Sequence, residues 1–222
     1  MTLEERLGFI RSQIADAVAE AGRKPGEVTT IVVTKFQPVE LIRELAALGV
    51  REFGENRHQE AQAKAGELCD LDISWNFIGQ LQSKKARQAR SYAHAVHSLD
   101  RTSVINALAS SESVIDGYLQ LNLTDDPGRG GIAFSQLEPM TELVLATPGI
   151  RLRGVMAVAP VGEDARRAFE RVRLASTRMQ SIAPEANSIS AGMSGDFREA
   201  ILEGATHLRI GSAITGNRPD AG

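Results

Sequence analysis

The sequence has a single cysteine, few histidines, no long apolar run and almost no net charge. Each shortage excludes a class of protein. A lone Cys69 rules out an internal disulfide and any multi-cysteine metal site, and an inert, buried or half-buried thiol is its expected state. His58, His94, His97 and His207 fall on separate elements without metal-ligand spacing, so they are expected at the surface or as hydrogen-bonded core side chains. No segment approaches the length of apolar run that a membrane span requires. The N-terminal stretch MTLEERLGFIRSQIADAVAE mixes charges with helical periodicity and lacks the features of an export signal, so a cytoplasmic location is expected. A formal charge of −3 and a pI near 5.9 supply no general attraction to nucleic acid or anionic lipid, which leaves a small ligand as the expected partner.

What is present is an alternation. The 222 residues, 42% hydrophobic and 24% charged, suffice for one large α/β domain, expected over 1–222. Thr2 followed by Glu5 is a capping box, and Leu3, Leu7, Ile10, Ile14 and Val18 form one apolar stripe, which predicts a leading helix ending near Ala21 and Gly22. Short apolar runs then recur at 30–34, 50–53, 74–78, 95–97, 118–123, 152–155, 188–190 and 207–210. Helical patterns separate them at 39–48, 55–68, 83–93, 101–111, 134–146, 163–182 and 194–203, with a terminal turn after Gly211. Strand and helix in strict alternation predict a parallel sheet, and that number of units predicts a single (β/α)8 TIM-type barrel with an extra N-terminal helix. A doubly wound open sheet is the alternative. Residues 125–131, DDPGRGG, read as a loop, and Asp125 and Asp126 within it lack the opposed rigid setting of a glycosidase acid pair.

In a barrel the chemistry collects where the strands end. The run IVVTKFQP at 31–38 puts Lys35 at such an end, on the face of Ile31 and Val33, either as a reactive amine or as a charge snorkelling into solvent. Gly54-Glu55-Asn56, Gly79-Gln80, Asn122, Met156, Ser190 and Arg209 occupy the other ends. SAGMS at 190–194 and IGSA at 210–213 each read as the opening of a helical turn, with free amides, hydroxyls and glycines on adjacent strand ends, an arrangement suited to phosphate. Taken singly, Ser194 is an N-cap and Gly211 a tight turn; taken together with Lys35 they favour phosphate. A phosphate site beside a lysine, whose amine burial near Arg209 would keep neutral, suits a phosphorylated carbonyl compound. Pyridoxal 5′-phosphate fits, and so does the substrate of a sugar-phosphate aldolase. Lys84-Lys85-Ala86-Arg87 with Arg90 reads as a solvated helix face, with a local anion patch as the alternative.

The segments VTKFQP (33–38), FGENRHQE (53–60), WNFIGQLQSKKAR (75–87), VHSLD (96–100), LRGVMA (152–157) and SAGMSGDFREAILEGATHLRIGSAITGNR (190–218) together resemble the pyridoxal phosphate homeostasis protein family. The resemblance spans nearly the whole chain, and the family's barrel is similar to the N-terminal domain of alanine racemase. It implies that Lys35 forms an internal aldimine with the cofactor's aldehyde and that Asn56 lies near the ring. It further implies that Ser190, Gly192, Met193, Ser194, Gly211 and Ser212 bind the phosphate, and that Arg209 faces the pyridine nitrogen. Intracellular cofactor buffering, with delivery to apo-enzymes from a monomer or weak dimer, is the implied role. The sequence departs from the family pattern at Asn76, commonly histidine, at Gln37, near which relatives carry a second lysine, and at Arg129, often lysine. Arg209 is permanently charged and disfavours a protonated ring, and neither Tyr92 nor Tyr118 is expected to reach the mouth as a second base. A racemase-type activity is therefore the less favoured reading.

Overall fold

A computed structural model describes residues 1–124, 126 and 128–216. Asp125, Pro127 and the Asn217 and Arg218 end of the last family segment lie outside the described residues.

The leading helix α1 (Leu3–Glu20) starts at the expected capping box, in which the Thr2 amide donates to Glu5 Oε2 at 2.7 Å and the Glu5 amide to Thr2 Oγ1 at 3.2 Å. Every residue of its apolar stripe is buried. The chain then runs β1 (Thr29–Val33), α2 (Val39–Ala47), β2 (Glu52–Glu55), α3 (His58–Glu67), β3 (Ser74–Phe77), α4 (Ser83–Arg90), β4 (Ala95–Leu99) and α5 (Thr102–Leu108). It continues with β5 (Ile115–Gln120), a short 3-10 turn leading into α6 (Leu137–Ala146), β6 (Ile150–Met156), α7 (Ala165–Gln180), β7 (Ser188–Ser190), α8 (Phe197–Leu202), β8 (His207–Ile210) and α9 (Ser212–Thr215). All neighbouring strands pair in parallel, and β8 closes on β1 through Val32 opposite Ile210. The expected barrel and its extra helix are both present. Among the described residues no helix is long and apolar enough to cross a membrane.

Period-2 geometry divides each strand between two environments. Val32, Phe53, Trp75, Phe77, Val96, Leu119, Val155, Ile189, Leu208 and Ile210 join the apolar layer between sheet and helices. The alternate positions fill the barrel itself, and there the contents are unusually polar: Asn76, His97, Ser190 and Arg209 are all buried beside Tyr118 and Met156. Gly54 leaves the room that Ile31 needs, since a Cβ there would stand 3.0 Å from the isoleucine's Cγ2.

The structure corrects several boundaries. β5 begins at Ile115 because Ile115 is buried and Asp116 pairs with Arg151, so Tyr118 sits in mid-strand, not at its amino end. Asn122 lies beyond the strand, where its side chain binds the Thr124 hydroxyl and the Asp126 carbonyl and shapes the following loop. The third helix starts at His58, not at residue 55, because Glu55 closes β2 and is buried between that strand and α3, bonded to Lys64. SAGMS does not open a helix directly, for α8 begins at Phe197 behind a turn in which Asp196 Oδ1 caps the Met193 amide at 2.6 Å. Cys69 is exposed, not buried: Leu68 takes the core position at the end of α3, and the next residue turns outward.

Candidate functional site

The candidate residues emerge from β7, β8, β1 and β2, which are contiguous in the barrel. Lys35 stands exposed in the turn after β1, at the rim and not buried beside Arg209 as the sequence suggests. The chain turns sharply there, for the Gln37 amide bonds the Thr34 carbonyl at 2.9 Å and Phe36 holds a left-handed φ of 65°. A bulky residue adopts that backbone only when its surroundings compel it. Here Glu60 Oε1 accepts from the Phe36 amide at 2.6 Å, and the Arg57 guanidinium lies 4.6 Å from the centre of the Phe36 ring.

Below the turn lies a buried ion cluster. Lys64 Nζ donates to the Thr34 carbonyl at 2.8 Å, to Glu55 Oε1 at 2.8 Å and to Glu60 Oε1 at 2.7 Å, while Thr34 Oγ1 donates to Glu55 Oε1 at 2.8 Å. Burial pushes the Glu55 carboxyl up, and the Lys64 ammonium and Thr34 hydroxyl oppose that shift. The sequence reading does not single out Lys64. Its signal is that position 64 continues the buried spacing of His58 and Ala61 on α3, with Glu60 one turn before it.

Gly211 lies against β1, where a Cβ on it would sit 3.6 Å from Val33 Cβ, so the β8 loop and the Lys35 turn share one edge of the mouth. The β7 and β8 loops meet through the Ala213 amide and Ser194 Oγ at 3.4 Å. Among the described residues no protein group accepts from the amides of Gly192, Ser194, Gly211 or Ser212. Gly192 holds φ at 93° with Leu208 and Phe197 closely packed around it, and Met193 is exposed at the rim. Asn56, at the end of β2, has a buried Oδ1 with no protein partner. Unpartnered donors near an exposed amine are what a phosphorylated aldehyde requires, so these residues fit pyridoxal 5′-phosphate.

Arg209 is set deeper. Its Nη1 donates to the Ser190 carbonyl and hydroxyl, both at 2.7 Å, and its Nη2 to the Ala157 carbonyl at 2.8 Å. Burial brings the guanidinium down to about 10. The Ser190 hydroxyl is thus engaged inside the barrel, bonded also to His97, rather than displayed with the loop amides. The anion-patch candidate Arg90 is engaged away from the site. Arg90 donates to the carbonyls of Leu108, Ser113 and Gly149 and pins the α4 and α5 region, and the described residues hold no cluster of metal-ligating side chains.

A parallel barrel with a lysine turn after its first strand and open amides after its last two defines an alanine-racemase-type cofactor barrel. The family model described as alanine racemase, N-terminal domain, matches residues 7–219. The chain belongs to the pyridoxal phosphate homeostasis protein family within that class. It is 38% identical to the Corynebacterium glutamicum pyridoxal phosphate homeostasis protein over 95% of this chain and 99% of the relative, and 37% identical to that of Pseudomonas aeruginosa over 98% and 96%. Among solved structures, PipY of Synechococcus elongatus PCC7942 with PLP bound is similar at a TM-score of 0.82 and 34% identity, covering 97% of this chain and 100% of that one.

Proposed function

We propose that the protein holds pyridoxal 5′-phosphate at the barrel mouth, with Lys35 as the attachment point, and serves intracellular homeostasis of that cofactor. The observation that carries this reading is the placement of an exposed lysine turn on the same edge of the mouth as the unpartnered amides of the β7 and β8 loops. When bound, the group supplies an aldehyde that an amine can trap and a phosphate that fixes its position. Gly192, Met193, Ser194, Gly211 and Ser212 hold the phosphate through their loops, and Asn56 offers its unpartnered oxygen beside the ring. Arg209 uses two nitrogens on protein acceptors and keeps Nε–H for the ligand. A guanidinium only donates, so it suits an unprotonated ring nitrogen, which weakens the ring as an electron sink.

The same reading makes the protein a carrier that passes the cofactor to apo-enzymes, not a racemase. A two-base racemase needs a second base at the mouth, and neither tyrosine is placed to serve. Tyr92 packs outside the barrel with its hydroxyl 3.3 Å from His58 Nδ1. Tyr118 is buried under the site, its hydroxyl 3.3 Å from His207 Nε2 and pushed up to about 12 by burial.

The test is the visible absorption spectrum of protein incubated with the cofactor, before and after borohydride, with Lys35→Ala alongside. A yellow band that disappears on reduction and leaves the cofactor's mass on the Lys35 peptide is expected. A colourless wild type overturns the reading and turns attention to a phosphorylated sugar. Alanine α-proton exchange with solvent at enzymatic rates overturns the carrier role alone.

A further inference from the structure

The barrel interior holds a chain of hydrogen bonds whose direction is fixed by its ends. Asn76 Nδ2 faces two groups that only accept, Glu52 Oε2 at 2.8 Å and the Phe53 carbonyl at 3.4 Å, so the amide cannot be reversed. Asn76 Oδ1 therefore faces His97 Nε2 at 3.1 Å and demands a hydrogen from it. The His97 ring is fully buried and stacked on Tyr118 at 4.3 Å, and burial holds it well below its ordinary value, so it is neutral. With its one hydrogen on Nε2, Nδ1 must accept, and its neighbour at 2.9 Å is Ser190 Oγ. The serine's hydrogen is thereby committed to His97, and its oxygen lone pairs are left facing Arg209 Nη1 at 2.7 Å.

We infer that His97 is a positioning residue for Arg209, acting through Ser190 and anchored at its far side by Asn76 and the Glu52 carboxylate. Every dipole in the chain points its negative end toward the guanidinium and its positive end toward the carboxylate. A fully buried cation thus gains an aligned solvation path in place of a contacting counter-ion. The chain also decides which arginine hydrogens remain for a ligand. Both Nη1 hydrogens and one on Nη2 are taken by Ser190 and Ala157, which leaves Nε–H and the second Nη2 hydrogen as donors. That a free donor meets the cofactor ring rests on the proposed function; the hydrogen-bond order does not.

Two readouts separate the two claims. In nitrogen spectra of histidine-labelled, cofactor-free wild type, His97 should show the neutral Nε2–H tautomer unchanged from about pH 5.5 to 8. An imidazolium or an Nδ1–H tautomer overturns the inference whatever the protein binds. With pyridoxal 5′-phosphate bound, His97→Phe, which keeps the stack on Tyr118, should shift the visible band and speed cofactor release by about tenfold, the loss expected when a hydrogen bond orienting a charged group is removed. An unchanged band and release rate in a folded His97→Phe protein overturn the positioning role. Should that variant fail to fold, Asn76→Ala carries the same expectation from a side chain that touches His97 and not Arg209. A wild type that never takes up the cofactor sinks the proposed function, and the nitrogen spectrum then decides the chain by itself.

Discussion

Lys64 Nζ lies 2.8 Å from the carbonyl oxygen of Thr34, the residue before Lys35, so a buried amine on α3 braces the turn that presents the exposed one. The brace has an ionic core, because the same ammonium meets Glu55 and Glu60. Breaking one partner of a buried pair costs more than the pair itself contributes, since a stranded charge remains.

Lys64→Met should accordingly lower unfolding stability by about 3 kcal/mol, within the range for removing one side of a buried ion pair. Pairing it with Glu55→Gln should recover part of the loss. Urea denaturation of the single and double variants checks this, and additive losses would show that the two side chains are not coupled.

Gly192→Ala should destabilise the protein and weaken cofactor retention together. The residue holds a left-handed φ of 93°, and its new Cβ would stand 2.8 Å from Ala200 Cβ and 3.0 Å from Phe197 Cα, so the β7 loop must move. A cost of more than about 1 kcal/mol is expected in thermal unfolding, because the backbone is unsuited to alanine and the space is filled.

Acid should destabilise the fold through His207. Burial, with Arg153 adding to it, depresses this imidazole from 6.5 to about 4. Between those values the unfolded chain binds the proton and the folded chain does not, so stability is full above about pH 6.5 and falls as pH drops toward 4. The single group is worth up to about 3 kcal/mol over that window. Glu55 acts in the opposite sense, because its carboxyl is raised in the fold and stability is lost as pH rises past its unfolded value. His207→Gln should therefore make the slope between pH 6.5 and 4 shallower, the buried His97 imidazole keeping its own share, without altering the Glu55 contribution. Chemical unfolding at closely spaced pH values measures both slopes.

Cys69 should react with an aromatic disulfide reagent in the native state, one equivalent per chain and without denaturant, because the thiol is exposed at the end of α3. A thiol that reacts only after unfolding would mean that another surface covers this end of the helix.

Much of the barrel is legible along the chain because its causes are local. The capping box at Thr2 and Glu5, the stripe from Leu3 to Val18 and the alternation of short apolar runs with amphipathic segments each involve residues a few positions apart. The rim candidates were legible for the same reason, since a strand's end and the residues after it are adjacent in sequence. Boundaries failed where a distant partner decides. Ile115 and Asp116 belong to β5 because β6 pairs with them, and Glu55 belongs to β2 because β3 and Lys64 claim it. Cys69 is exposed because its neighbour Leu68 takes the core position at the end of α3.

By itself the sequence determined the architecture, the lysine turn, the two glycine-bearing loops and the segments that carry the family resemblance. Only the tertiary structure decided what lies beneath them. Asn76, His97, Ser190 and Arg209 come from β3, β4, β7 and β8, and nothing in their spacing announces that they touch. A polar side chain on an inward strand position reads the same in sequence whether it is lonely or partnered. Barrel closure sets the partners, because it fixes which inward residues share a layer and excludes the water that would otherwise satisfy each of them alone.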